Sequence, residues 1–323
     1  MQATLIYNPY AGTTAQFSPD TLLDALRQAG YDPIYAPTLQ EEAMDDALAE
    51  AKDLVVVAGG DGSIRAAAIR LLGRGISIIP LPMRTANNIC RMLEINGKPL
   101  DIIAGLAHSE ERDINIWQVI TPHGPDYFIE AMGIGVFADI LENYRPDEGK
   151  SLVRGVQTMR KVLNGYQPKF FHINVDGQDF SGSYLLCEVM NAPTVGFHFT
   201  LAPDARPDDG YFDLVLIHDN QRASYVRLVK AVLTRSLGDL PEVSVHRGRR
   251  LEIAWRGFPL HLDGTATAGL DGVDVLDNPY HNEEPELLDV SKPIIRVELA
   301  PETVRFCVPG KAVAMGRGAL DSS

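Results

Sequence analysis

The chain has 323 residues, 45% of them hydrophobic, and its 43 acidic and 29 basic side chains give a net charge of −14. That is ample for a buried core in two domains or one large one. The acidity argues against a nucleic-acid binder and against electrostatic adhesion to anionic lipid, though it leaves room for a local basic site. No apolar run reaches the roughly 18 residues of a membrane span. The opening MQATLIYNPYAG lacks the basic segment and long apolar core of a signal peptide. Cys90, Cys187 and Cys307 are scattered and show no metal spacing, which predicts reduced thiols in a cytoplasmic protein.

Residues 4–7 begin an apolar strand that ends at Asn8-Pro9, and Tyr10, Ala11 and Gly12 form a turn. Ser18-Pro19 reads as a helix start, with Leu22, Leu23 and Leu26 as its buried stripe and Gly30 as its end. Residues 34–36 form a short strand and residues 41–51 a helix. Residues 54–58 are a continuous apolar run, as a strand buried on both faces should be. Gly59, Gly60, Asp61 and Gly62 follow at once, and residues 64–72 read as a helix with Ile64, Ala68 and Leu71 on one side.

Such a strand–glycine–helix turn sets backbone N–H groups and the positive end of a helix beside its ligand, which favours phosphate. The spacing is not the dinucleotide G-x-G-x-x-G, and no Lys-Ser/Thr pair makes it a P-loop. The alternative is a tight turn in which Asp61 caps its own helix. Residues 76–79 form one more strand. LPMRTANNICRMLEI then enters a helix capped by Thr85 or Asn87 and ending near Asn96-Gly97. Strands alternating with helices predict a parallel sheet, with ligands beyond the carboxyl ends of its strands. Both glycine turns would lie at that edge.

After Asp113 the texture changes. Residues 114–120, 127–131, 170–175, 184–190, 212–218, 251–254 and 294–298 read as strands, and only 151–163 and 221–233 look clearly helical. Short strands punctuated by Gly, Pro and Asp predict a sandwich or barrel. The tail from Gly316 reads as mobile. Asp208-Asp209-Gly210 with Asp213 is either a tight acidic loop for a hard cation or an Asp-Gly turn before a strand. His246, Arg247, Arg249 and Arg250, near Trp255 and Arg256, form the densest basic cluster, read as a lipid-phosphate contact or as a solvated turn. The stripe Leu152, Val156, Met159 and Leu163 fits core better than lipid contact.

Seven motifs in order then resemble the diacylglycerol kinase catalytic-domain family, which includes bacterial lipid kinases and sphingosine kinases and is distantly akin to NAD kinases. NPYAG at 8–12 resembles its NPxSG turn, and GGDGS at 59–63 its GGDGT/S signature. LPMRTANNICRML resembles LPLGTANDFARxL, FIEAMGIGVFA resembles FxNxxGxGxDA, and APDARPDDGYFDLVLI resembles the family's DDG block. HLDGT resembles D-G-E, and RFCVPG the closing strand.

The resemblance implies a parallel α/β nucleotide-binding domain, residues 1–113 and 300–323, and a β-rich, antiparallel sandwich-like acceptor domain, residues 114–299. It implies a site in the cleft between them. It further implies ATP and Mg2+ as cofactors and a lipid or lipid-like acceptor such as diacylglycerol; transient contact with a membrane surface and a homodimer are compatible with it. Asn8, Gly12, Gly59, Gly60, Gly62, Ser63, Thr85 and Asn87 would hold the nucleotide. Asp61 would act on the acceptor hydroxyl or the metal, and Asp208, Asp209 and Asp213 would hold a structural magnesium. The plainer roles are an Asx-turn for Asn8 and helix caps for Ser63 and Thr85.

Four departures fall on important positions. Arg84 replaces the glycine of LPLGT, Asn88 the aspartate of its N-D pair, Phe137 the aspartate of GxGxDA, and Thr265 the glutamate of D-G-E. Neither Asn88 nor Thr265 can ionise near neutral pH. Two function classes follow: an ATP-dependent lipid kinase, in which Asp61, Glu130 or Asp263 takes the missing role, or a nucleotide-binding homologue with weak or no kinase activity. A kinase for a soluble alcohol or nucleotide is a weaker third.

Overall fold

The computed structural model describes residues 1–9, 17–38, 41–83, 87–143, 162, 166–196, 199–218, 231, 234, 240–255, 257–267 and 294–309. Gly12, Arg84, Thr85, Arg256, the 152–163 stripe and the tail from Gly316 lie outside the described residues. So, almost wholly, do the helices predicted over 151–163 and 221–233. The chain divides into two compact units, Met1–Ile114 with Thr303–Ser323, and Asn115–Glu302.

In chain order the elements are β1 (Gln2–Tyr7), α1 (Pro19–Gln28), β2 (Asp32–Pro37), α2 (Glu41–Ala49), β3 (Leu54–Gly59), α3 (Asp61–Arg70), β4 (Ser77–Pro82), α4 (Asn88–Met92), α5 (Pro99–Ala104) and β5 (Ser109–Ile114). There follow β6 (Trp117–Thr121), β7 (Gly124–Phe128), β8 (Ala131–Gly135), α6 (Val136–Asn143), β9 (Lys169–Phe171), β10 (Ile173–Val175), β11 (Gln178–Asp179) and β12 (Gly182–Met190). The rest are β13 (Thr194–Val195), β14 (Phe199–Thr200), β15 (Phe212–His218), β16 (Val243–Gly248), β17 (Arg250–Ala254), β18 (Leu260–Leu262), β19 (Thr265–Thr267), β20 (Ile294–Leu299) and β21 (Val304–Pro309).

The first unit is a six-stranded sheet in the order β2-β1-β3-β4-β21-β5. Every pair from β2 to β21 is parallel, and β5 runs antiparallel to β21. All six residues of β3 are buried, as its unbroken apolar run requires. At α1 the Ser18 hydroxyl accepts the Thr21 N–H at 3.2 Å with Pro19 in the first turn, and Leu22, Leu23 and Leu26 are buried.

The helix expected to reach Asn96-Gly97 is shorter. α4 stops at Met92, because Glu94 takes a left-handed φ of 59° that no helix continues through. In this unit α5 and β5 have no counterpart among the predicted elements; in the second unit neither do α6, β11, β13, β14, β16, β18 and β19.

The second unit has two large antiparallel sheets and a two-stranded one, β13-β14. One has the order β11-β10-β17-β20-β6-β7; the other has β16-β15-β12-β8-β18-β19, with β9 also on β12. Trp117, Phe128, Phe171, Phe212, Leu251 and Leu260 are among the residues of one buried apolar cluster drawn from both sheets. A second cluster, including Leu186, Met190, Val215 and Ile217, covers the other face of the seven-stranded sheet. The strand predicted over 127–131 is in fact two. It breaks between β7 and β8, where the backbone N–H groups turn to meet a side chain described below.

Candidate functional site

β3 ends at Gly59 and α3 begins at Asp61, so one extended residue, Gly60, makes the turn. Gly60 is the N-cap residue and has no side chain to offer. The first N–H groups of α3 therefore face outward from the turn without an intrahelical acceptor, while those of Ser63 and Ile64 bond to the Gly60 carbonyl at 2.9 and 3.1 Å. Ser63 is thus a first-turn residue and not the cap. Its hydroxyl accepts from Asn8 Nδ2 at 3.2 Å, which joins the end of β1 to the start of α3. Asn8 is further fixed by its own N–H on the Ala58 carbonyl at 3.1 Å.

Glycine is required at 59. A Cβ there would stand 2.7 Å from Ser63 Cβ and 2.8 Å from its Oγ. At Gly62 an added Cβ meets no atom of the described residues within 4 Å. This side of the turn offers backbone donors and a helix N-terminus.

Asp61 does not cap its own helix. Its Oδ1 accepts the Ile89 N–H at 3.0 Å, at the head of α4. Asn87 holds the N-cap position of α4 with a left-handed φ of 48° and makes no side-chain cap bond. Asp61 supplies that acceptor from a different helix. Asn88, next to it, is buried. The structure therefore brings Asn8, Gly59, Gly60, Asp61, Gly62, Ser63 and Asn87 onto the ends of β1, β3 and the two helices that follow.

In the second unit, β18 and β19 are joined by Asp263-Gly264, both with positive φ (50° and 73°), the backbone of a two-residue hairpin turn. The Asp263 carboxylate folds back and accepts three successive N–H groups: Ile129 at 3.0 Å, Glu130 at 2.7 Å and Ala131 at 3.1 Å. Its own N–H donates to the Ala131 carbonyl at 2.8 Å. Asp263 thus shapes the backbone between β7 and β8. Asp263→Ala is expected to leave three donors without an acceptor. At roughly 1–3 kcal/mol per stranded buried group, the loss in a denaturant melt should be about 3 kcal/mol or more. Thr265 opens β19 and is exposed. Glu130 is buried, and its carbonyl accepts from Asn191 and Ala192.

The acidic loop is tied from within. Asn115 Oδ1 accepts the Gly210 N–H at 2.7 Å, and the Asp209 carboxylate accepts the Tyr211 N–H at 3.0 Å and pairs with the Arg247 guanidinium. Asp208 lies 3.6 Å from Arg206. Burial pushes the Asp213 carboxyl up; Arg247 opposes this, and Asp209 and Asp204 add to it. Among the described residues no group of three or more His, Cys, Asp or Glu side chains is arranged to hold a metal ion. Of the three carboxylates, Asp209 is the one engaged by both an arginine and a backbone N–H. The basic cluster belongs to the same place: the Arg247 and Arg249 guanidinium carbons each lie 4.4 Å from the Tyr211 ring centroid.

Sequence reasoning missed two buried polar groups. Lys169 Nζ and the Tyr166 hydroxyl both bond Asp139 Oδ2 at 2.7 Å. Glu188 and His261 form a wholly buried pair. A lone glutamate inside the apolar run YLLCEVM was the available signal for the second.

Residues 2–119 match the family model described as diacylglycerol kinase catalytic domain. Residues 141–290 match the one described as YegS C-terminal NAD kinase beta sandwich-like domain. The chain is 29% identical over 287 residues to a diacylglycerol kinase of Bacillus subtilis (strain 168), covering 84% of this chain and 92% of that one. It is 27% identical over 291 residues to a diacylglycerol kinase of Staphylococcus carnosus (strain TM300), covering 81% and 88%.

A crystal structure of a diacylglycerol kinase from Bacillus anthracis str. Sterne shares the fold at a TM-score of 0.65 and 16% identity, covering 97% of this chain and 98% of that one. A second crystal structure from that organism reaches a TM-score of 0.71 at 17% identity, covering 97% and 96%. Among the described residues no helix is long and apolar enough to cross a membrane. With both domain matches in chain order, on a parallel α/β unit and an antiparallel β-rich one, residues 2–119 are a diacylglycerol kinase catalytic domain and the chain resembles diacylglycerol kinases through both units.

Proposed function

We propose that this chain is a lipid kinase-like phosphotransferase that binds ATP at the β3–α3 turn and passes a phosphoryl group to a hydroxyl of a lipid or lipid-like acceptor such as diacylglycerol. The observation that carries this reading is the open glycine turn. Gly59 lets Ser63 and Asn8 close one side, and the free first turn of α3 faces the other. Phosphoryl transfer depends on holding the phosphates and offsetting their charge. Backbone N–H groups at 61–62 would do the holding, and Asn8 and Ser63 would fix the shape of the cradle. A magnesium ion bound with the nucleotide would offset charge on its phosphates. The names of the relatives support a lipid acceptor.

Calorimetry with ATP, with and without magnesium, tests the nucleotide half. An absence of binding in both conditions rejects it. Asp61→Asn tests the chemistry, because an amide oxygen can still accept the Ile89 N–H while the charge is lost. If Asp61 acts on the acceptor proton, kcat should fall about a hundred- to ten-thousand-fold with ATP affinity little changed. A fall in ATP affinity with no change in kcat would assign Asp61 to structure alone.

The second reading is a nucleotide-binding homologue with weak or no kinase activity. A specific observation favours it: the two aspartates nearest the lost acids, Asp61 and Asp263, spend carboxylate oxygens on backbone N–H groups. Thr265 and Asn88 bring no ionisable group in their place. Labelled-phosphate transfer to diacylglycerol, sphingoid bases and simple glycerides separates the two readings.

A further inference from the structure

β12, β8 and β18 lie side by side, and one row of residues crosses all three. Glu188 stands opposite Gly133, and Gly133 opposite His261. The middle of the row has no side chain, so Glu188 and His261 meet across β8. A Cβ on Gly133 would overlap the Glu188 carboxylate. His261 Nε2 lies 2.9 and 3.1 Å from the two carboxylate oxygens, and both side chains are wholly buried. One proton joins Nε2 and the Glu188 carboxyl group. The other ring nitrogen, Nδ1, is buried and has no hydrogen-bond partner among the described residues. The Phe137 ring stands nearly perpendicular to the imidazole, centroids 4.8 Å apart.

Stability does not explain this arrangement. The same face of the sheet carries Leu186, Met190, Val215 and Ile217. In such surroundings a buried charged or polar pair stabilises no better than apolar residues of similar volume, and here it also strands a ring nitrogen. What the pair does provide is register. Only one alignment of β18 sets His261 opposite the side-chain-free Gly133. A slip of one residue would put His261 on the other face and draw Asp263 away from the three N–H groups it holds. Two residues beyond His261, those N–H bonds set the turn that presents Thr265.

We infer that Glu188 and His261 are a positioning pair: across Gly133 they lock the register of β18, and so fix where the Asp263-Gly264-Thr265 hairpin is presented to the acceptor. The acceptor part rests on the kinase reading above; the register part does not.

The test is the double change Glu188→Leu with His261→Leu, read by amide hydrogen exchange and by kinetics. The variant should resist denaturant as well as the parent. Its Ile129, Glu130 and Ala131 amides should exchange about tenfold faster or more, since the hairpin opens locally. Acceptor KM should rise on the order of tenfold, with ATP affinity unchanged. Parental exchange at these three amides overturns the inference, whatever the kinetics.

If the double variant fails to fold, Glu188→Gln decides by the same measure. It keeps one oxygen for Nε2–H, and intermediate protection is expected; full parental protection overturns the inference. Faster exchange in a protein that phosphorylates no acceptor in any form would remove the kinase reading and leave the register role standing.

Discussion

Gly62→Ala is expected to make the protein slightly more stable and much worse at binding ATP. Gly62 sits in the first turn of α3, and an added Cβ there touches no atom of the described residues within 4 Å. Alanine in a helix is favoured over glycine by roughly 0.5–1 kcal/mol, so the melting temperature should rise by a few degrees. If a phosphate occupies that open side, the same methyl stands in its way. Misfit of about 1–3 kcal/mol corresponds to a loss of roughly ten- to a hundredfold in affinity.

Gly59→Ala is the contrasting case. Its Cβ collides with Ser63, 2.7 Å away, so it should lower stability and affinity together. Calorimetry and thermal melts on the two variants separate the effects. A stabilised Gly62→Ala that binds ATP like the parent would move the phosphates away from this turn.

The parallel unit was legible because its signals are local and apolar. An unbroken run at residues 54–58 can only be a strand buried on both faces, and Ser18-Pro19 carries its own cap. β5 was not legible for the opposite reason. SEERDI is an edge strand whose charged residues face solvent, and it exists because β21 pairs with it from nearly two hundred residues away. Nothing local announces such a strand.

The same limit applied to the site. GGDGS marked the turn, but not that Asp61 reaches the head of α4, because that bond depends on where two helices end. HLDGT resembled a family block, but nothing in it showed that Asp263 gathers three N–H groups from a segment more than a hundred residues earlier. Asp263 is taken up by the backbone, and Asp61 commits one oxygen to it. That shifts attention from the acids the chain has to those it lacks.

Restoring the lost acids should therefore raise activity, and the two positions should behave differently. Thr265 is exposed at the start of β19, so Thr265→Glu adds a carboxylate where water can solvate it and should leave stability within about 0.5 kcal/mol. Asn88 is 3% exposed and adjoins Ile89, whose N–H is already bound by Asp61. Asn88→Asp buries a second charge near the first and should cost about 1–3 kcal/mol, partly offset by its place in the first turn of α4. A well-placed base contributes about a hundred- to ten-thousand-fold in rate. Phosphate transfer to diacylglycerol should thus rise several-tenfold or more in Thr265→Glu, and further in the double variant if it stays folded. The assay is labelled-phosphate transfer beside the parent, with melts to confirm folding. Robust parental phosphorylation of diacylglycerol, unimproved by either change, would mean that these positions are not where the chemistry is decided. A gain confined to Thr265→Glu would place the missing base on the hairpin that Asp263 shapes.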